Sequence, residues 1–304
     1  LEACRGEYEA AQLILIPDRQ DIESVLLDKS GLVMESGEYA IDKSYIDLYR
    51  VGYAKTKMPY YNTSNVGLWP DPLIPLDQPF VVPHSRVQPI WIRVYIPQSS
   101  PAGIYNGEIR IVSKDAQPKK VRLKLRVRDF DIGNERHVKT AFGFKEYMLD
   151  KFYTKEINET DAEWQKRKKE ISRVFYLDML AHRIDPIYNI GNPAFLGKEG
   201  GKYALDFTEF DKNAEFYLGY GQKNFGIADF WPWQSRERWG KWYGLRDVES
   251  VVGVFDAYGK HLQAKGWLDR AYAYIFDETF YRVKEITFLI HQGHPGIKNL
   301  LTLR

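Results

Sequence analysis

Hydrophobic and polar residues alternate along this chain at two different periods, and the change comes near residue 131. From Ala10 to about Phe130 the period is two. Lys119 to Phe130 sets Val121, Leu123, Leu125 and Val127 on one face and Arg122, Lys124, Arg126 and Arg128 on the other, the pattern of a half-buried antiparallel strand. Ile90, Ile92, Val94 and Ile96 repeat it, and Pro101-Ala102-Gly103 opens a turn into a further strand from Ile104 to Val112. Strands without intervening helices predict an all-β accessory domain, a β-sandwich, over residues 1–131. The basic stripe reads either as a solvated strand face that discourages edge pairing, the simpler account, or as a surface for an acidic partner. Trp69 to Pro75, stiffened by its three prolines, reads as a rigid bridging loop.

Past Asp131 apolar positions recur at helical spacing between short apolar runs, which predicts an α/β domain over 132–304. Thr140 to Phe144 is a first short run. Thr160-Asp161-Ala162-Glu163 is a capping-box pattern opening a helix with Ile171, Phe175 and Met179 on one face. A strand-like Ile184 to Ile190, a helix from Phe207 to Gly219 and a strand from Phe225 to Trp231 follow. A helix then presents Val251, Phe255, Tyr258 and Leu262 on one side and stops at Gly266. Ala271 to Phe276 is the next strand, Phe280 to about His291 the next helix, and Leu300 to Leu303 a last apolar run. About five strands of βα repeat imply a parallel sheet, either open and doubly wound or a (β/α)8 TIM-type barrel truncated after the fifth strand; the end at Arg304, just after an apolar run, favours truncation.

Composition narrows the functional classes. A net charge of +2 gives no overall field toward nucleic acid or an anionic membrane, and no apolar run has the length of a membrane span. Aromatic residues make up 15% of the chain, which suits stacking on the apolar faces of sugars and equally suits building cores. Cys4 is the sole cysteine, so neither an internal disulfide framework nor a cysteine-ligated zinc is available. Histidines are scattered, and no dinucleotide fingerprint, Walker loop or nucleophile elbow occurs, so neither a metal nor a cofactor is expected. The chain opens at Leu1 without a methionine, which leaves room for a leader ahead of it.

Asp277-Glu278 is the one place where two acidic residues adjoin, directly after the apolar run Ala271 to Phe276. Carboxylates at the C-terminal end of a parallel strand stand where barrel enzymes place reacting groups; acids opening the next helix are the competing account. Asp229, Trp231 and Trp233 follow the preceding strand and are candidates for the same rim, the tryptophans as a wall against a sugar face or as packing between loops. Tyr188 and Asn189 end an earlier strand, and either bind sugar hydroxyls or form a polar turn. Lys145 and Glu146 either bind a hydroxyl or open a helix. His182-Arg183 reads as structural, pairing with a buried carboxylate or capping a helix end.

Arg5 to Ala10, Gly67 to Pro75, Pro101 to Gly107, His182-Arg183-Ile184 and Lys265-Gly266-Trp267 through Asp277-Glu278 together resemble glycoside hydrolase family 123, in order and across nearly the whole chain. The resemblance implies a β-sandwich followed by a (β/α)8 barrel and activity as a retaining β-N-acetylgalactosaminidase, with a glycan (glycolipid, glycoprotein or polysaccharide) as partner and a secreted, periplasmic or surface location. It places the family's acid pair at Asp277 and Glu278. Two carboxyls normally flank a scissile glycosidic bond at about 5–10 Å, which adjacent residues cannot do, so adjacency suits attack by the substrate's own 2-acetamido oxygen. Glu278 then serves as acid and base, while Asp277 steadies the acetamide and the oxazolinium charge. Another sugar preference on the same architecture, or a non-catalytic carbohydrate-binding protein, are the rival expectations.

Overall fold

A computed structural model describes residues 1–59, 66–114, 116–133, 136–199, 202–228, 248–276 and 283–302. The chain is mixed α/β and divides into two compact units, Leu1–Glu135 and Arg136–Arg304.

The first unit consists of strands: β1 (Glu2–Arg5), β2 (Tyr8–Leu15), β3 (Ile22–Lys29), β4 (Leu32–Met34), β5 (Ala40–Ile41), β6 (Ile46–Lys55), β7 (Leu68–Pro75), β8 (Phe80–Val82), β9 (Gln88–Tyr95), β10 (Gly103–Val112) and β11 (Lys119–Asp131). One sheet runs β1-β11-β10-β3-β8, with β4 also on β10 and β5 on β4; a second runs β2-β9-β6-β7. The inward residues of both meet in one core: Leu125, Val127, Ile109 and Tyr105 from the first sheet, Ile46, Ile92 and Val94 from the second. The alternation read from sequence is realised in β11, where Leu123, Leu125 and Val127 are buried and the arginines and lysines between them are exposed. β11 is, however, no edge. It lies between β1 and β10, and its basic face meets acids on its neighbours, with Lys120 on Glu108 at 2.8 Å and Arg128 on Glu2. Leu68–Pro75 is likewise not a loop but an exposed edge strand on β6. Its prolines are tolerated there because a strand edge has amide positions with no ladder partner to serve.

The second unit contains α1 (Leu149–Phe152), α2 (Asp161–Ala181), the hairpin β12 (Ala194–Glu199) and β13 (Lys202–Asp206), α3 (Thr208–Gly219), β14 (Phe225–Ile227), α4 (Val248–Ala264), β15 (Ala271–Phe276), α5 (Val283–Gly293) and β16 (Lys298–Leu301). β14, β15 and β16 pair in parallel. Ahead of them Ile187 N–H donates to Phe142 O at 3.0 Å, Gly226 N–H donates to Ile187 O at 2.9 Å, and Phe142 bridges Pro186 in parallel. Five parallel strand positions thus follow one another in chain order, and the sheet curls into a half-barrel. Among the described strands there is no reversal of order of the kind that defines a doubly wound sheet. The strand expected at Ile184 to Ile190 reduces to that single bridge, because among the described residues its backbone bonds to neighbouring strand positions are confined to Asp185 and Ile187.

Helix α2 opens with the predicted capping box, Thr160 and Glu163 exchanging side-chain to backbone bonds. Its buried stripe is Trp164, Ser172, Tyr176 and Leu180, one position along from the expected Ile171, Phe175 and Met179. Phe144 decides the rotation. Tyr176 meets it edge-on at 5.5 Å and donates its hydroxyl to Glu146 at 2.7 Å, while Phe175 stacks on it at 4.8 Å and stays partly exposed. A buried tyrosine whose hydroxyl is satisfied loses little against phenylalanine. Helix α4 buries Val251, Phe255, Tyr258 and Leu262 as predicted, and Gly266, at φ +69°, closes it while Trp267 N–H returns to Leu262 O at 2.8 Å.

Candidate active site

Strand β15 carries the geometry that matters most. Ala271 and Ala273 face the core shared with α4 and α5, where their small side chains let the helices approach, so Tyr272 and Tyr274 point to the other face of the sheet. Tyr272 is buried, and burial pushes its phenol well above the ordinary range. Tyr274, further along the strand, stands 6.3 Å from Tyr188, ring centroid to centroid. Tyr188 follows Ile187 at the C-terminal end of its own strand position, so both tyrosines mark one rim of the sheet. Asp277 and Glu278 come directly after β15 in the sequence. They, with Asp229, Trp231 and Trp233, lie outside the described residues. Ala228, fully buried with φ +55°, turns the chain out of β14 just before Asp229, a left-handed conformation unusual for a residue with a Cβ.

The remaining candidates are placed. Asn189 is buried, and its amide is engaged on both atoms by Gln222: Asn189 Nδ2 donates to Oε1 at 2.7 Å, and Gln222 Nε2 donates to Asn189 Oδ1 at 3.2 Å. Gln222 also donates to Pro186 O and Asn224 O, which ties the strand ends together. Lys145 is exposed and precedes a single 3₁₀ turn, Glu146–Met148. His182 caps α2, with Nδ1 2.8 Å from Asp178 O.

Two features were not signalled by the sequence reading. At the strands' opposite ends, Asp185 is buried with Arg136; its Oδ1 receives Arg136 Nη1 at 3.2 Å and Lys223 N–H at 2.9 Å. On the rim side, a cleft of about 400 Å³ opens between α2 and α3, lined in part by Glu146, Arg173, Tyr188, Asn189 and Tyr217. The Tyr217 phenol is raised by burial. A basic run in α2, Lys166 to Lys169, was the available sequence signal for that cleft. Among the described residues no three of His, Cys, Asp or Glu gather as metal ligands, and no helix is long and apolar enough to cross a membrane.

Residues 1–113 match the model of the glycoside hydrolase 123 N-terminal domain. The first 113 residues are thus similar to the N-terminal domain of family 123 glycoside hydrolases. A solved family 123 glycoside hydrolase from Clostridium perfringens, described for glycolipid glycan hydrolysis, superposes on 99% of this chain with a TM-score of 0.72 at 14% identity. This chain covers 59% of that structure, and the likeness establishes the fold. A family 5 xyloglucanase from Bacteroides ovatus aligns over 98% of this chain and 61% of its own at 9% identity, but with a TM-score of 0.31. The sporulation control protein Spo0M from Bacillus subtilis aligns over 42% of this chain and 46% of its own at 8% identity, with a TM-score of 0.23. Neither of these two carries an argument about the fold. No curated protein matches the chain.

Proposed function

We propose that this chain carries the acid pair of a retaining, exo-acting glycosidase that removes β-linked N-acetylgalactosamine from a glycan, on a β-sandwich and (β/α)8 framework. The observation that carries the reading is β15: a central parallel strand whose C-terminal end leads directly into Asp277-Glu278, in a chain whose first 113 residues are similar to the family 123 N-terminal domain. Glu278 protonates the departing oxygen and then takes a proton from the incoming water. Asp277 accepts a hydrogen bond from the acetamide N–H while the acetamide oxygen closes on the anomeric carbon to form an oxazoline. Adjacent carboxyls titrate as a coupled pair, which leaves one protonated and one ionised at the working pH. The glycolipid glycan of the Clostridium perfringens relative makes that the first substrate class to examine.

Glu278→Gln is expected to fold and to abolish turnover of an aryl β-N-acetylgalactosaminide; undiminished turnover removes Glu278 from the acid and base role. A thiazoline mimic of the oxazoline inhibits the active enzyme if the acetamide participates. Comparing the galacto and gluco epimers of the aryl substrate decides the sugar.

A further inference from the structure

The basic run in α2 divides its labour. Arg167 binds Glu159 through Nε at 2.8 Å and Nη2 at 2.7 Å, and Lys168 binds Asp150 at 3.0 Å. Lys166 and Lys169 instead line the cleft, and Arg173 joins them on the same helical stripe at spacings of three and four. Among the described residues none of these three is ion-paired with a carboxylate. The Arg173 guanidinium lies on the Phe216 ring at 3.8 Å, which fixes its planar fork before any ligand arrives. Of the three acids in the cleft, Glu209 sits 3.7 Å from Lys212, while Glu146, which accepts the Tyr176 hydroxyl, and Glu170 are outnumbered by Lys166, Lys169 and Arg173, so the lining is basic by one charge. Tyr217 adds a ring and a phenol that burial keeps protonated and able to donate. The volume is at the lower end of small-ligand pockets and accommodates one sugar ring.

We infer that the cleft between α2 and α3 holds an acidic sugar unit of the glycan, one bearing a carboxylate or a sulfate ester, with Arg173 and Lys169 on the anion and the tyrosines against the ring. That the anion belongs to a sugar rests on the glycosidase reading above; the binding itself does not require turnover. The experiment therefore measures binding, by calorimetric or NMR titration of the chain and of its Glu278→Gln variant with methyl β-glucuronide, a 6-O-sulfated methyl β-glucoside, neutral methyl β-glucoside and sodium sulfate. At least one acidic glycoside is expected to bind saturably and about tenfold tighter than the neutral one, equally in both proteins, and the arm that binds names the acid. Arg173→Gln and Lys169→Gln are each expected to weaken it about fivefold or more with unchanged circular dichroism, and added salt to weaken it further. Equal affinity for acidic and neutral glycosides, absence of saturation, free sulfate binding as tightly as either sugar, or full affinity in Lys169→Gln, an exposed position that leaves the fold intact, overturns the inference. Loss of the glycosidase reading alone leaves these titrations unchanged.

Discussion

Asp185 is 1% exposed, and what keeps a carboxylate there is one arginine and one backbone amide on the same oxygen. Burial raises its carboxyl above the usual range, opposed by the Lys223 N–H and by Arg136. A raised carboxyl means that the folded state holds its proton to higher pH than the unfolded chain, so this group's contribution declines as pH rises through that window. Removing it is still costly, because Arg136 is then left buried without a counter-charge. Asp185→Ala is expected to lose about 3–5 kcal/mol in urea denaturation, and a loss under about 1 kcal/mol means that Arg136 finds another partner. Glu159 shows the opposite sign. Its hydrogen bonds from Arg167 hold its carboxyl at about 2, against an ordinary 4.5. Its contribution is complete above about 4.5 and is lost as pH falls toward 2, so Glu159→Gln should flatten the acid limb of the stability curve in that window. The Asp185 pair was not legible in the sequence, and neither was the amide pairing of Asn189, which read there as a sugar ligand or a polar turn. Asn189 and Gln222 are 33 residues apart, and Asp185 and Arg136 49 apart, and only the ordering of the strands brings them together.

Whole elements were legible where one face of a regular period is buried. The α4 stripe and the β15 run follow directly from their apolar spacing, and the α2 capping box from four residues. Thr160→Ala should therefore cost about 1 kcal/mol, read as a shift in thermal midpoint, since it frees the Glu163 N–H that its hydroxyl satisfies. Elements made by partners rather than by period were not legible. β7 is a strand only because β6 lies beside it, and Ile184 to Ile190 fails as a strand because its neighbours meet it only over Asp185 to Ile187. Gly226 shows how close that meeting is. A Cβ there would stand 2.9 Å from Ile187 O and 2.5 Å from Ile187 Cγ2. Gly226→Ala is expected to destabilise the chain by about 1–3 kcal/mol, because the carbonyl is held by the Gly226 amide itself and cannot retreat without losing that bond. A neutral result in the same denaturation assay means that the two strand positions separate without cost.

At the scale of the whole molecule, the change of period near residue 131 and the family resemblance were visible in the sequence, whereas the cleft between α2 and α3 was not, since its lining comes from segments far apart in the chain. The cores of the two units are built from separate residues: those around Leu125 and Val25 draw only on the first, and that around Phe255 only on the second. A polypeptide of residues 1–133 should accordingly fold alone, with a β-type circular dichroism spectrum and one cooperative thermal transition. The family model ends at residue 113, and the same argument predicts that residues 1–113 do not fold. That cut removes β11, which lies inside its sheet, holds β1 in place and contributes Leu123, Leu125 and Val127 to the core. Each buried aliphatic side chain stabilises by about 1.5–3 kcal/mol, so these three alone amount to roughly 5–9 kcal/mol. Domains of this size are stable by only about 5–15 kcal/mol in total, so the shorter piece has little or nothing left. A cooperative transition in residues 1–113 would mean that β10 closes the core without its partner, and failure of residues 1–133 to fold would mean that the first unit depends on the second.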